Sequence, residues 1–285
     1  MKAATKNSVK KTGNKIVWYL LVIFLGIIFM IPVYWMVLMS FKPISEMYIS
    51  PVPWFPKPPF QITNYIEALM KYDFPIWFKN TFLMCIFATA GNVISSSLTA
   101  YGFARMKFPG RNVLFILLLA SMMLPFQVKI IPLFNMYKHL GWLDSMLPLV
   151  VPAFFAAASP LFVFLTRQFY LSIPEELAAA AKIDGCGSFK TFTYIFLPLT
   201  KPVMVTVALF SFMDNWNDFF QPLIYINSDI HKTVSLGLAG MKGTYVSEWH
   251  IIMASSVLTI LPCVIVFLCA QKYFVEGIAV SGLKG

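Results

Sequence analysis

The chain has 285 residues, of which 59% are hydrophobic and only 12% charged. Soluble domains carry about 25% charged residues, so this balance excludes an ordinary soluble fold and indicates an all-α, multi-pass membrane protein. The formal net charge of +10 does not mark a nucleic-acid binder, because the basic residues fall between apolar runs and form no single patch.

A basic tail, residues 1–15, precedes a 26-residue apolar run at 16–41. A signal-peptide core is only about 7–15 residues long, so this run reads as a retained first transmembrane helix. A hydrocarbon core of about 30 Å needs about 20 helical residues, and five further runs qualify, at 81–104, 113–136, 146–166, 202–226 and 250–271. The segment 42–75 reads as an extracytoplasmic loop. Its stretch SPVPWFPKPPF, with Trp54, Phe55, Phe60 and Tyr65, argues for an ordered segment rather than a free linker. Pro125, Gln127 and Lys129 predict a kinked or wet outer end for the third span. The fifth is strictly apolar only over 203–213. It reaches bilayer length only if Asp214, Asn215, Asn217 and Asp218 lie at membrane depth, where such groups face a bundle interior or water. Residues 272–285 form a C-terminal tail. With the N-terminus inside, fourteen of the 22 Lys and Arg residues fall on the inner side and eight outside, which predicts two cytoplasmic termini.

The polar stretch 172–201 then lies on the cytoplasmic side. Ser172 and Glu175 fit an S-x-x-E capping box, with Glu175 and Glu176 at the positive end of an alanine-rich helix. Gly185 and Gly187 predict its end. Ser188 is placed to cap a second short helix from Phe189 to about Leu197, with Phe189, Phe192 and either Ile195 or Phe196 on one apolar face and Pro198 ending it. Read from the residues alone, this is either a helix lying on lipid headgroups or a dock for a cytoplasmic partner.

The spacing of this stretch resembles the signature loop of importer permeases of the ATP-binding-cassette type, E-A-A-x3-G-x9-I-x-L-P. Here it reads Ala179-Ala180-Ala181, three residues, Gly185, nine residues, Ile195, Phe196, Leu197, Pro198, the one departure being Ala179 in place of the glutamate. NTF at 80–82, AYGFARMKFPGR at 100–111, MLPFQVKIIPL at 123–133 and the ending QKYFVEGIAVSGLKG also resemble the sugar-importing branch, with the smaller membrane subunit of maltose-type transporters the nearest likeness. The resemblance implies a type-I importer fold with six helices and a transmembrane core at 76–271. It implies a loop at 172–201 that couples to an ATPase dimer, with Ala180, Ala181, Asp184 and Gly185 at the dock and Ile195, Leu197 and Pro198 framing it. It further implies a second homologous permease, an external solute-binding protein, and a prokaryotic cytoplasmic membrane. The chain has no G-x-x-x-x-G-K-[ST] loop, so no cofactor is expected on it; ATP and Mg would be bound by the partner ATPase.

Asp214, Asn215, Trp216, Asn217 and Asp218 are the candidates for a substrate pathway. A four-residue spacing puts Asp214 and Asp218 on one helix face, and an indole among amides suits a sugar. The same groups could instead bond neighbouring helices. Asn92 and Ser95–Ser97 are secondary candidates. No Lys or Arg lies between Val203 and Ile230, which favours a neutral, hydroxyl-rich solute over a glycerol phosphate. Cys85, Cys186, Cys263 and Cys269 form no CxxC pair, and no metal is expected. His139, His231 and His250 lie in or beside outer loops, which leaves an intramembrane enzyme without a constellation. A self-sufficient secondary transporter would show repeated halves, and none is visible.

Overall fold

The computed structural model describes residues 2–49, 51, 53–55, 58–155, 159–242 and 248–282, with side chains inside 15–272. Among the described residues every regular element is helical. In chain order these are α1 (Lys2–Ser40), α2 (Ile44–Met47), α3 (Thr63–Met70), α4 (Phe74–Arg105), α5 (Arg111–Ala120), α6 (Phe126–His139), α7 (Leu147–Val150) and α8 (Pro160–Ser172). They continue with α9 (Glu175–Ile183), α10 (Ser188–Thr191), α11 (Leu197–Leu199), α12 (Lys201–Asn217), α13 (Phe220–Tyr225), α14 (Val234–Gly240) and α15 (Trp249–Gly282). The basic tail is helical from Lys2, continuous with α1, and α15 runs on through the expected C-terminal tail to Gly282, beyond which 283–285 lie outside the described residues.

Among the described residues three helices are long and apolar enough to cross a membrane: 15–40 within α1, the whole of α4, and 249–272 within α15. Two further pairs qualify only when taken together, Arg111–Met123 with α6 across a 101° bend and Ser188–Leu199 with α12 across a 77° bend. Three of the six expected spans are therefore broken, each at an identifiable residue. Pro125, extended at ψ 143°, separates α5 and its 3-10 extension from α6. The expected span 146–166 is a short α7, a 3-10 turn at Val151–Phe154 with Pro152 in its first positions, and α8 beginning at Pro160; residues 156–158 lie outside the described set. The expected span 202–226 breaks at Asp218. Proline supplies no N–H to the preceding turn and disfavours helical backbone before it, so each of the first two breaks follows from local chemistry.

The chain divides into two compact units, one of residues 1–72 and 241–258, the other of 73–240 and 259–285. In the first, the proline-rich segment folds back on the end of α1. Lys42 is 1% exposed and its Nζ donates to the Pro53 carbonyl at 2.6 Å, while Asn64 Nδ2 donates to the carbonyls of Ser40 and Lys42, both at 2.9 Å. Burial lowers the Lys42 pKa from its ordinary value. Trp35 and Trp54 meet edge to face at 5.5 Å, so an aromatic of this segment packs back on α1.

In the second unit α4 is the central helix. Its buried face is built from small residues, Ala88, Gly91, Asn92, Ser95, Ser96, Ser97 and Ala100, against which α8 and α12 pack. Small residues let helix backbones approach closely where apolar area alone gives little net attraction. A Cβ on Gly91 would lie 2.8 Å from the Phe154 ring. Asn80 Nδ2 donates to the carbonyls of Ile230 and Lys232, and Thr81 Oγ1 accepts from the Val234 amide at 2.8 Å, so the NTF motif holds the turn that leads into α14. Asp144, at φ 57°, donates its amide to the Tyr225 carbonyl, and its Oδ1 accepts from the amides of Asn227 and Ser228 and from Ser228 Oγ.

Candidate functional site

The polar stretch is two helical pieces around a glycine corner, but its caps differ from the expected ones. Ser172 is the last residue of α8 and donates its hydroxyl to the Phe169 carbonyl at 2.8 Å, so it does not cap α9. Pro174 forces the correction: the residue before a proline avoids helical backbone, Ile173 is extended at ψ 133°, and α9 starts only at Glu175. At the other end Gly185 takes φ 77°. The Cys186 amide donates to the Ala181 carbonyl at 2.9 Å and the Gly185 amide to that of Lys182 at 3.2 Å. This is the paired closure that a left-handed residue just past a helix provides. Ser188 does not cap the second piece either, since it is the first residue of α10 and no side chain caps it. The helix then widens to a π turn at Phe192–Phe196 and passes through Pro198, which sits in the first turn of α11; it ends at Thr200, not at Pro198.

The π turn divides the expected apolar face. Phe192 and Phe196 are buried at 5% and 0%, their rings 5.1 and 5.3 Å from that of Tyr101, while Phe189 is 71% exposed. Ala181 is buried, Ile195 and Leu197 are partly buried against the same core, and Pro198 is exposed. Glu175, Glu176, Ala179, Ala180, Asp184 and Gly185 all face outward, together with Ile183 at 86% exposure. One side of the corner is thus anchored and the other presents small residues flanked by two bare apolar side chains, Ile183 and Phe189, and three carboxylates, Glu175, Glu176 and Asp184.

Arg105 was not among the expected site residues. Its Nη2 donates to the carbonyls of Tyr170 and Ile173, the two that close α8, and its guanidinium lies 4.9 Å from the Phe196 ring centroid. It fastens the entry of the stretch to its exit. A lone arginine at the end of a long apolar run is the only sequence signal for it.

The second feature is a cavity of about 470 Å³ lined by Asn92 of α4, Pro148, Leu149, Pro152 and Ala153 around the 3-10 turn, Phe162 of α8, and the junction of α12 and α13. The junction corrects the reading that Asp214 and Asp218 share a helix face. The helix stops at Asn217, Asp218 is extended at ψ 122°, and its Oδ1 accepts from the amides of Phe220 at 3.0 Å and Gln221 at 3.2 Å, which starts α13. Both carboxylates still line the cavity, with Asn215, Asn217 and Gln221. Asn215 and Asn217 use their amide groups on the carbonyls of Ser211 and Met213, one turn back. Asn92 Nδ2 donates to Ser211 Oγ at 2.9 Å, and its buried Oδ1 has no partner among the described residues. Trp216 is not in the cavity. It is 2% exposed, stacks on Phe212 at 5.4 Å, and donates Nε1 to the Thr259 carbonyl. Ser95 bonds the Ala153 carbonyl at 2.9 Å, and Ser95–Ser97 pack α4 rather than line the cavity. Among the described residues the lining holds two carboxylates, three amides besides Asn92, and no Lys, Arg or His. Among the described residues no group of three His, Cys, Asp or Glu could hold a metal.

Residues 91–280 match the family described as the binding-protein-dependent transport system inner membrane component. The chain is 32% identical over 280 residues to the arabinooligosaccharides transport system permease protein AraQ of Halalkalibacterium halodurans, covering 97% of this chain and 99% of the relative. It is 32% identical over 267 residues to the trehalose/maltose transport system permease protein MalG of Thermococcus litoralis, covering 92% and 94%. It is 34% identical over 210 residues to the sn-glycerol-3-phosphate transport system permease protein UgpE of Yersinia pestis, covering 73% and 74%. Among solved structures, a bacterial ABC transporter involved in import of the acidic polysaccharide alginate superposes with a TM-score of 0.81 at 21% identity, covering 91% of this chain and 95% of that one. At that identity the likeness speaks for the fold alone.

Proposed function

Because the chain belongs to the family of inner-membrane components of binding-protein-dependent transport systems, we propose that it is the permease subunit of an ATP-driven importer for a neutral carbohydrate or polyol. In this reading it crosses the cytoplasmic membrane six times, with both termini inside, and works with a second permease, an ATPase dimer and an external binding protein. The helix pair α9–α10 is the dock for the ATPase. The observation that carries this is the asymmetry of that pair: Phe192 and Phe196 are locked into the core while Ala179, Ala180, Ile183 and Phe189 are left bare around a left-handed glycine. A helix lying on lipid would present a continuous row of large apolar residues; here alanines sit between Ile183 and the glutamates, and alanines admit the close approach of another protein.

The cavity is the solute path on this subunit. Its two carboxylates, its amides and its lack of any cation suit hydroxyl groups and repel a phosphate or uronate. A glycerol phosphate, the solute named for one relative, is the second reading, and the lining disfavours it. The test is ATPase activity of the reconstituted complex with its binding protein, read with arabino-oligosaccharides, maltose, trehalose and glycerol 3-phosphate. Stimulation by a neutral sugar is expected. Stimulation by glycerol 3-phosphate alone rejects the substrate reading, and uptake driven by an ion gradient without the ATPase rejects the whole assignment.

A further inference from the structure

The segment AYGFARMKFPGR has a feature that the transport reading leaves unused. Between the end of α4 and the start of α5 the chain turns at Gly110, φ 77°, and encloses an open notch of about 470 Å³ lined by Lys107, Phe108, Arg111, Asn112 and Val113. Arg111 Nη1 donates to the Met106 carbonyl at 3.1 Å, which pins the guanidinium beside the notch and leaves its other donors open. Among the described residues neither Lys107 nor Arg111 pairs with a carboxylate. Arg111 lies close enough to Arg167 for the two like charges to oppose each other. No side chain caps the ten-residue α5, so its first amides also point toward an uncompensated site. The surplus is therefore strongly positive.

The occupant follows from what adjoins the notch. α5 leaves it with Val113, Leu114, Ile116 and Leu117 bare, at 62, 51, 64 and 59% exposure, a surface fit for acyl chains. α4 is one of the helices long enough to cross a bilayer, so its Arg105 end stands at a membrane surface, whichever side that is. We propose that the notch binds the headgroup of an anionic phospholipid of the phosphatidylglycerol type, with Lys107, Arg111 and the start of α5 on the phosphodiester and the acyl chains along α5. A free phosphate would satisfy the cations but leave the apolar wall bare.

The test uses the purified, delipidated complex and dioleoylphosphatidylglycerol, with binding followed by native mass spectrometry. The K107Q/R111Q variant should bind this lipid at least tenfold more weakly. An equally charge-reduced control, K129Q/K138Q, should bind as the parent does, and dioleoylphosphatidylcholine should bind weakly to all. Should the double variant fail to assemble, K107Q alone serves, since the Lys107 side chain makes no internal bond among the described residues; a threefold or greater loss is then expected. Equal retention by parent and variant, equal binding of the two lipids, or displacement of the lipid by millimolar glycerol 3-phosphate each overturns the proposal. The measurement needs no ATP and no sugar, so it fails or stands independently of the transport reading.

Discussion

Substitutions at Gly185 separate folding of the polar stretch from docking. At φ 77° an ordinary side chain pays about 1–2 kcal/mol of backbone strain, offset by roughly 0.4–1 kcal/mol from a stiffer unfolded chain. Gly185→Ala should therefore cost about 1 kcal/mol. A Cβ there would meet no atom within 4 Å, so there is no clash within the subunit to add. Asn and Asp tolerate left-handed backbone better than Ala, so Gly185→Asn and Gly185→Asp should cost only a few tenths of that strain. They place more atoms at the corner than Ala does. The order of stability is then Gly, Asn and Asp, Ala, while the order of ATPase coupling, if the corner enters a partner's cleft, is Gly, Ala, then Asn and Asp. The assay is substrate-stimulated ATPase of the reconstituted complex, with thermal stability of the same preparations. Coupling at least tenfold lower in Gly185→Asp than in Gly185→Ala supports the dock. Coupling that simply follows stability would show that the corner matters only for folding, and the reasoning would be refuted.

A Cβ on Gly237 would stand 2.1 Å from the Trp77 ring, so Gly237→Ala must push α14 away from α4; a loss of about 1–3 kcal/mol or more is expected, seen as a lower melting temperature or lost yield. Hydrogen bonds from the Ser228 amide, then from the Asn227 amide and the Ser228 hydroxyl, hold the Asp144 carboxyl down to about 2, below its unfolded value near 4. Its contribution is therefore complete above pH 4 and is lost as pH falls from about 4 through 2. Protection of the Asn227 and Ser228 amides from hydrogen exchange should be flat from pH 8 to 5 and collapse below 4, and an Asp144→Asn variant that keeps the same profile would disprove the assignment. Removing both cavity charges in Asp214→Asn/Asp218→Asn should improve competition by an anionic sugar about tenfold per charge, from roughly 1–2 kcal/mol of repulsion for each at an effective dielectric of about 20; unchanged selectivity in transport assays would place the solute path elsewhere.

Much of this architecture is legible in the sequence where one physical effect dominates. Helices α1, α4 and α15 follow from apolar length alone, and the left-handed turn at Gly185 from the absence of a Cβ. The misreadings come where two local effects compete. Ser172 and Glu175 have the spacing of a capping box, but Pro174 between them sets the backbone first, and the hydroxyl turns back to Phe169. Counting four from Asp214 puts Asp218 on the same helix face, yet a carboxylate followed by two free amides starts a new helix more readily than it extends an old one. Trp216 suited a sugar by composition, but Phe78 and Phe212 offer it rings at 5.5 and 5.4 Å, and burying so large a side chain outweighs leaving it wet. Arg105 carries only the weak signal of an arginine ending an apolar run, because its partners are backbone carbonyls 65 and 68 residues away.

The same break that spoiled the Asp214–Asp218 reading ties the two features of the second unit together. α12 begins at Lys201, directly after the 77° turn at Thr200, and ends at Asn217 on the cavity rim. Thr200 is fully buried, and its hydroxyl donates to the Phe196 carbonyl at 2.9 Å, which fixes the elbow between the two helices. Seventeen residues at about 1.5 Å each make a rod of about 25 Å. In the proposed importer a displacement imposed at α9–α10 would reach α12 through that elbow and arrive where the helix stops, at Asn217 and Asp218. Had the span continued unbroken through 226, the same movement would have carried α13 along as one body; with the break at Asp218, α12 would be free to tilt without it. In the proposed importer this is how work done at the dock would change the cavity without dismantling the packing of α4 and α8.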